Sequence, residues 1–219
     1  MNSKERTMFT ADQVWALAVA ADRINGGYFK EPVYDFNVDQ RHPVKEANKL
    51  MVKNWIRTRN FSAATAADLD QGRVVRHYFN GFLLKQISGK INDFEKQALR
   101  IAQLDEFTDR NGLELAIVSC LPSVMLRDQS RKDQQSQIRN STQLTGSVGD
   151  RVQGSLEVLG SNFNANFNKH RVTGRINDSY VDFWFGQSYQ LGTVLQIKAK
   201  IKQHRGDKTT QLNYVKIIG

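Results

Sequence analysis

The sequence has few of the features that mark secreted or membrane proteins. It contains a single cysteine, Cys120, which excludes an internal disulfide and favours a reducing, intracellular compartment. The apolar surroundings of this residue, LAIVSCLP, predict a buried structural thiol and not a nucleophile. No run of about 18 apolar residues occurs, and the first residues, MNSKERTMFTADQ, contain no apolar signal core. We therefore expect a soluble, cytoplasmic protein that makes no contact with a membrane.

The sequence motifs of catalysis and cofactor binding are also absent. Gly89-Lys90 has neither the preceding glycine nor the following Ser or Thr of a P-loop. The single cysteine and the scattered histidines form no metal-binding pattern, and no G-x-S-x-G occurs. The acidic pair Asp105-Glu106 is better explained as the solvated end of a helix than as a magnesium site. We therefore expect no enzymatic activity, no cofactor and no metal.

Positive charge is what the sequence has in excess. The formal net charge is +9, and 40% of the residues are hydrophobic, which is enough for a packed core. Residues 144–219 carry 10 of the Lys and Arg residues and 5 of the Asp and Glu residues, so this third of the chain holds more than half of the excess charge. A basic chain attracts polyanions, of which nucleic acid is the commonest, although a generic basic surface is the alternative.

The spacing of apolar residues predicts a helical domain over residues 1–140. Thr10 and Gln13 have the form of a capping box, Pro43 is suited to begin a second helix, and Pro122 is suited to end a short buried one. A polar stretch from Arg127 is expected to be a solvated helix that leads into a linker, with the domain boundary near Ser141. The predicted helices cover residues 11–25, 43–60, 65–87, 92–105 and 113–121.

After Leu144 the hydrophobic period changes from about 3.6 to 2. Alternation is clear in residues 151–158, 169–176, 180–185 and 193–202, and ambiguous in the last stretch, TTQLNYVKII. Five half-buried strands with the longest gap after the third predict a small closed barrel of the OB type. The predicted fold class is therefore α+β, with a helical N-terminal domain followed by a five-stranded OB-type β-barrel in residues 141–219.

Cations and aromatic rings lie outward on the predicted barrel. Single-stranded nucleic acid needs both, because cations follow its phosphates and aromatic faces stack on its bases. The candidate binding residues on the second, third and fourth strands and in the turn after the fourth are Lys169, Arg171, Arg175, Tyr180, Trp184, Lys198, Lys200, Lys202, His204, Arg205 and Lys208.

Plainer explanations exist for several of these residues. The three lysines of the fourth strand can simply keep an exposed strand soluble and protect an edge from aggregation. Trp184 belongs to the core if a bulge shifts the register of its strand. Phe163 and Phe167, in the first loop between strands, can pack under the barrel or lie over nucleic acid. Asp182, between Tyr180 and Trp184, counts against a purely anionic ligand on that face.

The stretches that suggest a relationship are VGDR at residues 148–151, the aromatic third strand ending at residues 183–185, the Lys-x-His turn at 202–204 and the Thr-rich last strand from 209 to 212. In these features the last third of the chain resembles an OB-type module of bacteriophage replication and single-stranded-DNA-binding proteins. The resemblance implies non-catalytic binding of single-stranded DNA with little sequence preference, in phage-type replication or recombination in a bacterial host cell. Bacterial members commonly end in an acidic tail that recruits partners, whereas this sequence ends NYVKIIG. We therefore expect contacts with replication or recombination proteins to be made by the helical domain.

Two other functions stay open at this point. In one, the protein is an interaction adaptor of the replication or host-takeover machinery, the barrel is a scaffold and the helical domain docks on a partner. In the other, the ligand is single-stranded RNA, because stacking and phosphate contacts do not distinguish RNA from DNA and only contacts to the 2′-hydroxyl do. A homo-oligomer is compatible with each of these functions.

Overall fold

The computed structural model describes residues 7–35 and 43–218. The chain forms two compact units, Met1–Gln129 and Ser130–Gly219. The first is helical and the second contains a closed five-stranded barrel, which confirms the predicted α+β class. The division falls within a helix, whose last residue, Asn140, lies where the sequence placed the boundary.

In residues 7–35 and 43–129, the helical unit contains two short paired strands and six α-helices, and a seventh α-helix begins there and ends in the barrel unit. The strands are β1 (Met8–Thr10) and β2 (Glu106–Thr108). The helices are α1 (Ala11–Asn25), α2 (Asn48–Thr58), α3 (Ala66–Asn80), α4 (Leu83–Ile87), α5 (Asp93–Ala102), α6 (Gly112–Val118) and α7 (Leu121–Asn140). None of the helices in the described ranges combines the length and apolar character needed to cross a bilayer.

Helix α1 forms the centre of the helical unit. The predicted capping box is present, because the Thr10 hydroxyl accepts a hydrogen bond from the Gln13 amide and the Gln13 side chain accepts one from the Thr10 amide. Trp15 and other apolar residues of the helix are fully buried. Helix α3 packs closely against it at Gly72, where a Cβ atom would lie 3.0 Å from the backbone of Trp15. Alanine at this position would therefore push the two helices apart.

A partly exposed ion pair links the same two helices. The Arg23 guanidinium of α1 donates to both carboxylate oxygens of Asp68 in α3, at 2.9 and 2.8 Å. The Asp68 carboxylate also accepts a hydrogen bond from the amide of Thr65 at the start of α3. Hydrogen bonding by Arg23 lowers the pKa of Asp68 to about 2, against the opposing effect of burial.

Several predicted helix limits are wrong, and the causes are backbone pairing, a glycine and a proline. Helix α2 begins at Asn48 instead of Pro43, because the backbone of residues 44 and 45 pairs with Val33 in a bridge. The helix predicted over 65–87 is interrupted around Gly81 between α3 and α4. The fourth helix ends at Ala102, before strand β2. Pro122 lies in the first turn of α7 and does not end a helix, since a first turn needs no N–H at that position.

The barrel contains the five predicted strands in a closed order. They are β3 (Arg151–Asn164), β4 (Lys169–Ile176), β5 (Ser179–Phe185), β6 (Val194–His204) and β7 (Thr210–Ile217). The strands are hydrogen-bonded in the order β3-β4-β5-β7-β6, and β6 closes the barrel on β3. The β5–β7 pair is parallel and the other four pairs are antiparallel. This arrangement is OB-like.

The interior of the barrel is filled by the apolar residues that alternate along its strands. Most of those predicted to point inward are buried, among them Leu156, Val172, Phe183 and Ile197, whereas Val152 and Phe185 are partly buried against the same core. Strand β4 approaches β3 closely at Gly174, where a Cβ atom would lie 2.6 Å from Leu156 Cδ1 and 2.7 Å from the Glu157 carbonyl oxygen. The regular alternation of the first four strands therefore predicted the core correctly.

Candidate nucleic-acid interface

The structure divides the predicted binding residues between two surfaces of the barrel. The first, which we call the β4–β5 face, consists of the outward residues of β4 and β5 and of the turn at 205–209. Its facing pairs are Arg171 with Trp184, Thr173 with Asp182, and Arg175 with Tyr180. The second lies on β3, β6 and β7 and includes Lys198 and Lys200. The two surfaces use their cations differently.

Asp182 holds two of the predicted cations on the β4–β5 face. Its carboxylate is 4% exposed and accepts a hydrogen bond from Arg171 Nε at 3.0 Å. Arg205 also contacts both oxygens of the same carboxylate, with Nη1 at 2.8 Å from Oδ1 and Nη2 at 3.1 Å from Oδ2. Asp182 therefore neutralises the positive charge of Arg171 and Arg205, which were predicted to bind phosphates. The two guanidinium groups in turn stabilise a buried carboxylate.

Arg175 is also ion-paired, but at the surface. Its Nη2 lies 2.9 Å from Glu157 Oε2 of the neighbouring strand, and both side chains are exposed by more than a third. A pair of this kind contributes about 0–1 kcal/mol to stability. Lys169, at the start of β4, is exposed.

Tyr180 lies on the predicted face, but its ring is not open to a base. Only 5% of this residue is exposed, and its hydroxyl donates a hydrogen bond to Gln137 Oε1 of α7 at 2.7 Å. Gln134 and Ile138 of the same helix line a small cavity with Tyr180 and Asp182. The expectation of an accessible Tyr180 is therefore wrong, because the last turns of α7, which belong to the barrel unit, cover this part of the face.

Lys208 fastens the same end of α7 to the barrel. Its Nζ donates to the carbonyl oxygen of Arg139 at 2.7 Å and to that of Ser141 at 3.2 Å. A cation here interacts favourably with the free carbonyl groups and the negative dipole end of the helix. The Thr142 amide donates to the Asp178 carbonyl in the β4–β5 turn, which adds a second attachment. Lys208 therefore has a structural role in addition to its predicted place in the turn after β6.

His204 is likewise engaged by its neighbours. Its Nε2 lies 2.8 Å from the Gly146 carbonyl oxygen, and its Nδ1 lies 2.9 Å from Thr210 Oγ1. Because a carbonyl oxygen only accepts, Nε2 carries the proton, and the Thr210 hydroxyl donates to Nδ1 in the neutral ring. Both ring nitrogens are thus used within the barrel.

The sequence left open whether Trp184 lies in the core or is exposed for stacking, and the structure places it between these two positions. It is partly exposed, and its ring packs on Phe167 with the ring centroids 5.0 Å apart. Phe163 packs in the same way on His170, at 5.2 Å. Phe163 and Phe167 remain 58% and 62% exposed. The β3–β4 hairpin and the end of β5 therefore present paired rings to solvent, outside the part of the face that α7 covers.

The second surface, which we call the basic groove, carries charge without carboxylates. Its volume is about 840 Å³, and its lining includes Arg151 of β3, Lys198 and Lys200 of β6, and Lys216 of β7. None of these four cations pairs with a carboxylate of residues 7–35 or 43–218. Lys202, the third lysine of the predicted stripe, is exposed beside a register shift of β6 and does not line the groove.

Tyr214 contributes an aromatic ring to the basic groove. Its residue exposure is 77%, and Lys200 Nζ lies 5.9 Å from the ring centroid. Tyr214 occupies the left-handed region with φ 50°, next to a shift in the β6–β7 register. Such a φ value is rare for a bulky residue and is typical of a bulge. The same shift lets Leu212 and Val215, three positions apart, both pack on the core.

Sequence reasoning missed Arg151, Tyr214 and Lys216. Arg151 faces Lys200 and Lys216 faces Lys198 across neighbouring strands. Such pairs can be identified only when the strand order and the register of pairing are known, and the sequence alone supplied neither. The bulge at Tyr214 also removed the alternation that would have assigned β7 an outward side. The available signal was the ambiguous phase of TTQLNYVKII, because a broken alternation indicates a bulge.

Groups with catalytic or metal-binding potential are sparse in the described structure. Burial raises the pKa of the Cys120 thiol to about 11, so this thiol is protonated at neutral pH and is a poor nucleophile. Within residues 7–35 and 43–218, no three His, Cys, Asp or Glu side chains are grouped so that they could hold a metal ion.

Comparisons of the chain with protein-family models, curated proteins and solved structures found no match.

Proposed function

We propose that the protein is a non-catalytic single-stranded-DNA-binding protein and that its barrel carries the binding site. The supporting observation is a groove lined by an exposed tyrosine ring and by four cations that pair with no carboxylate of residues 7–35 or 43–218. Cations attract the phosphates, and an exposed ring takes up an unstacked base at about 1–3 kcal/mol per base. Little sequence preference is expected, because every base has a face that can stack.

The phage-type role in replication or recombination rests on the resemblance of the C-terminal third and is part of the same proposal. Partners in those processes would be bound by the helical unit. Helix α4 has a feature that suits this task, since Leu84 and Ile87 are both about three-quarters exposed. The adaptor function, in which the barrel is only a scaffold, draws its support from the same two residues.

Titration of a fluorescent oligo-dT of about 30 nucleotides tests the proposal. Anisotropy is measured at about 50 and 200 mM salt, beside a duplex of equal length and an oligo-U. The proposal predicts salt-sensitive binding to oligo-dT and much weaker binding to the duplex, whose bases are stacked. Absence of binding to oligo-dT at low salt would contradict it and favour the adaptor, and tighter binding to oligo-U would make RNA the ligand.

A further inference from the structure

The face that an OB-type barrel commonly offers to a single strand is partly occupied in this protein. Such barrels bind oligonucleotides across their second and third strands, which here are β4 and β5. The end of α7 covers Tyr180 on that face, and Asp182 holds Arg171 and Arg205. A single strand that lay there would have to displace the helix or break these ion pairs.

We propose that the single strand instead binds across β3, β6 and β7, in the basic groove, with Tyr214 as the residue on which a base stacks. This proposal rests on the proposed function, and it assigns binding roles to Arg151, Tyr214 and Lys216. The last turns of α7 take the place of a ligand on the β4–β5 face.

The electrostatics of the groove favour a polyanion. Arg151 lies directly opposite Lys200, and Lys198 lies directly opposite Lys216. Neighbouring strands are only about 4.8 Å apart, and like charges directly opposite each other destabilise a sheet. Among the residues that the structure describes, no acidic side chain lines the groove to relieve this repulsion. A chain of phosphates supplies the missing negative charge, and its binding releases the counterions that otherwise screen the four cations.

The conformation of Tyr214 supports a role in binding. A bulky residue with positive φ is strained, and such strain is concentrated at functional sites. The bulge places the ring beside Lys200 with most of its surface in solvent. Its residue exposure of 77% shows that core packing does not explain the ring, and no hydrogen bond holds its hydroxyl to another residue of the described chain.

The ring also favours single-stranded nucleic acid over an acidic polypeptide. Carboxylates of a peptide would satisfy the four cations, but they would leave the tyrosine ring without a partner. An unpaired nucleotide supplies both a phosphate and a flat base, which are the two groups that this groove can bind. Duplex DNA supplies the phosphates but keeps its bases stacked.

The first experiment compares rings on the two surfaces by oligo-dT titration. Tyr214→Ala is expected to weaken binding about tenfold, and Tyr214→Phe to retain affinity within about twofold, because the ring remains. Trp184→Ala, on the other surface, is expected to change affinity by less than about twofold. Tyr214→Asn provides a second ring-less variant that suits positive φ, and far-ultraviolet circular dichroism verifies that each variant is folded.

The second experiment compares matched pairs of cations. The double variant Arg151→Gln, Lys216→Gln is expected to reduce the slope of log affinity against log salt by about 1.4. The double variant Arg175→Gln, Lys169→Gln removes one arginine and one lysine from the β4–β5 face and is expected to leave the slope unchanged.

The outcomes separate this proposal from the proposed function. If the wild-type protein binds oligo-dT and only the β4–β5 variants weaken binding, the function stands and the location in the groove is wrong. Equal effects of the two charge pairs would also contradict the location. If the wild-type protein binds poly-glutamate but not oligo-dT, both proposals fail and the groove is a site for acidic polypeptides.

Discussion

The β4–β5 face and the basic groove are built from the same kinds of residue at alternate positions of neighbouring strands. On the β4–β5 face, a buried aspartate, a surface glutamate and two carbonyl groups at the end of α7 engage every cation except Lys169, which is exposed. In the basic groove, four cations line the same surface as an exposed ring, and none of them has a carboxylate partner among the described residues. A basic stripe in a sequence therefore has two possible meanings, and the position of the acidic residues distinguishes them.

The largest expected effect comes from removing the carboxylate at the centre of the β4–β5 face. Asp182→Ala removes the shared partner of Arg171 and Arg205, which are partly exposed and stay hydrated, and should lower the free energy of unfolding by about 1–3 kcal/mol. Urea denaturation measures this change. Glu157→Ala is the control, because it removes the exposed partner of Arg175 and should lower stability by less than about 1 kcal/mol. Equal losses would mean that Asp182 has no special structural role.

Neutralising the lysines of the basic groove should weaken binding without lowering stability, because it removes the repulsion between facing cations. Lys198→Gln together with Lys200→Gln should weaken oligo-dT binding by about 1–2 kcal/mol at moderate salt and reduce the salt slope by about 1.4. Lys202→Gln is the control, because this lysine lies on the same strand but outside the groove. If Lys202→Gln reduces the salt slope by half as much as the double variant does, each lysine of the strand contributes equally to binding. That result would contradict a binding site in the groove.

Loss of the Tyr180 hydroxyl should weaken the contact between the end of α7 and the β4–β5 face. Tyr180→Phe removes the hydrogen bond to Gln137 and is expected to lower stability by about 1 kcal/mol. Affinity for oligo-dT should not change if the strand binds in the groove. Thermal unfolding and anisotropy measure the two quantities on the same preparation. Weaker binding by this variant at unchanged stability would indicate that the ligand contacts Tyr180.

The smallest expected effect is a local dependence on pH in the turn at 205–209. The Asp207 carboxylate accepts hydrogen bonds from the side chain and amide of Thr209, and these bonds lower the pKa of Asp207. A lowered pKa in the folded state stabilises the turn above the ordinary carboxyl pKa of about 3.9, and this stabilisation is lost as the pH falls through the folded value. The protection factor of the Thr209 amide, which is the intrinsic exchange rate divided by the observed rate at the same pH, should therefore fall in acid, whereas in Asp207→Asn it should not respond to pH in this way. Unchanged protection at low pH would contradict this account.

The core of the barrel was predictable because apolar residues recur at alternate positions of four strands. Leu156, Val172, Phe183 and Ile197 are buried as their positions required. The contact of α7 with Tyr180 was not predictable. The sequence of α7 after Leu126 is polar, so it does not indicate which side of the helix contacts the barrel. The groove was only half predictable. Its two lysines follow from the alternation of β6, whereas Arg151, Tyr214 and Lys216 join them only through the strand order and the bulge in β7.

Photocrosslinking would distinguish the two surfaces in a single measurement. An oligo-dT in which some thymines are replaced by 5-iodouracil reacts under near-ultraviolet light with aromatic rings that stack on it. Trypsin digestion and mass spectrometry then identify the attached peptide. Binding in the basic groove predicts the adduct on residues 209–216, the tryptic peptide that contains Tyr214. An adduct on the peptide that contains Trp184, with none on Tyr214, would contradict it.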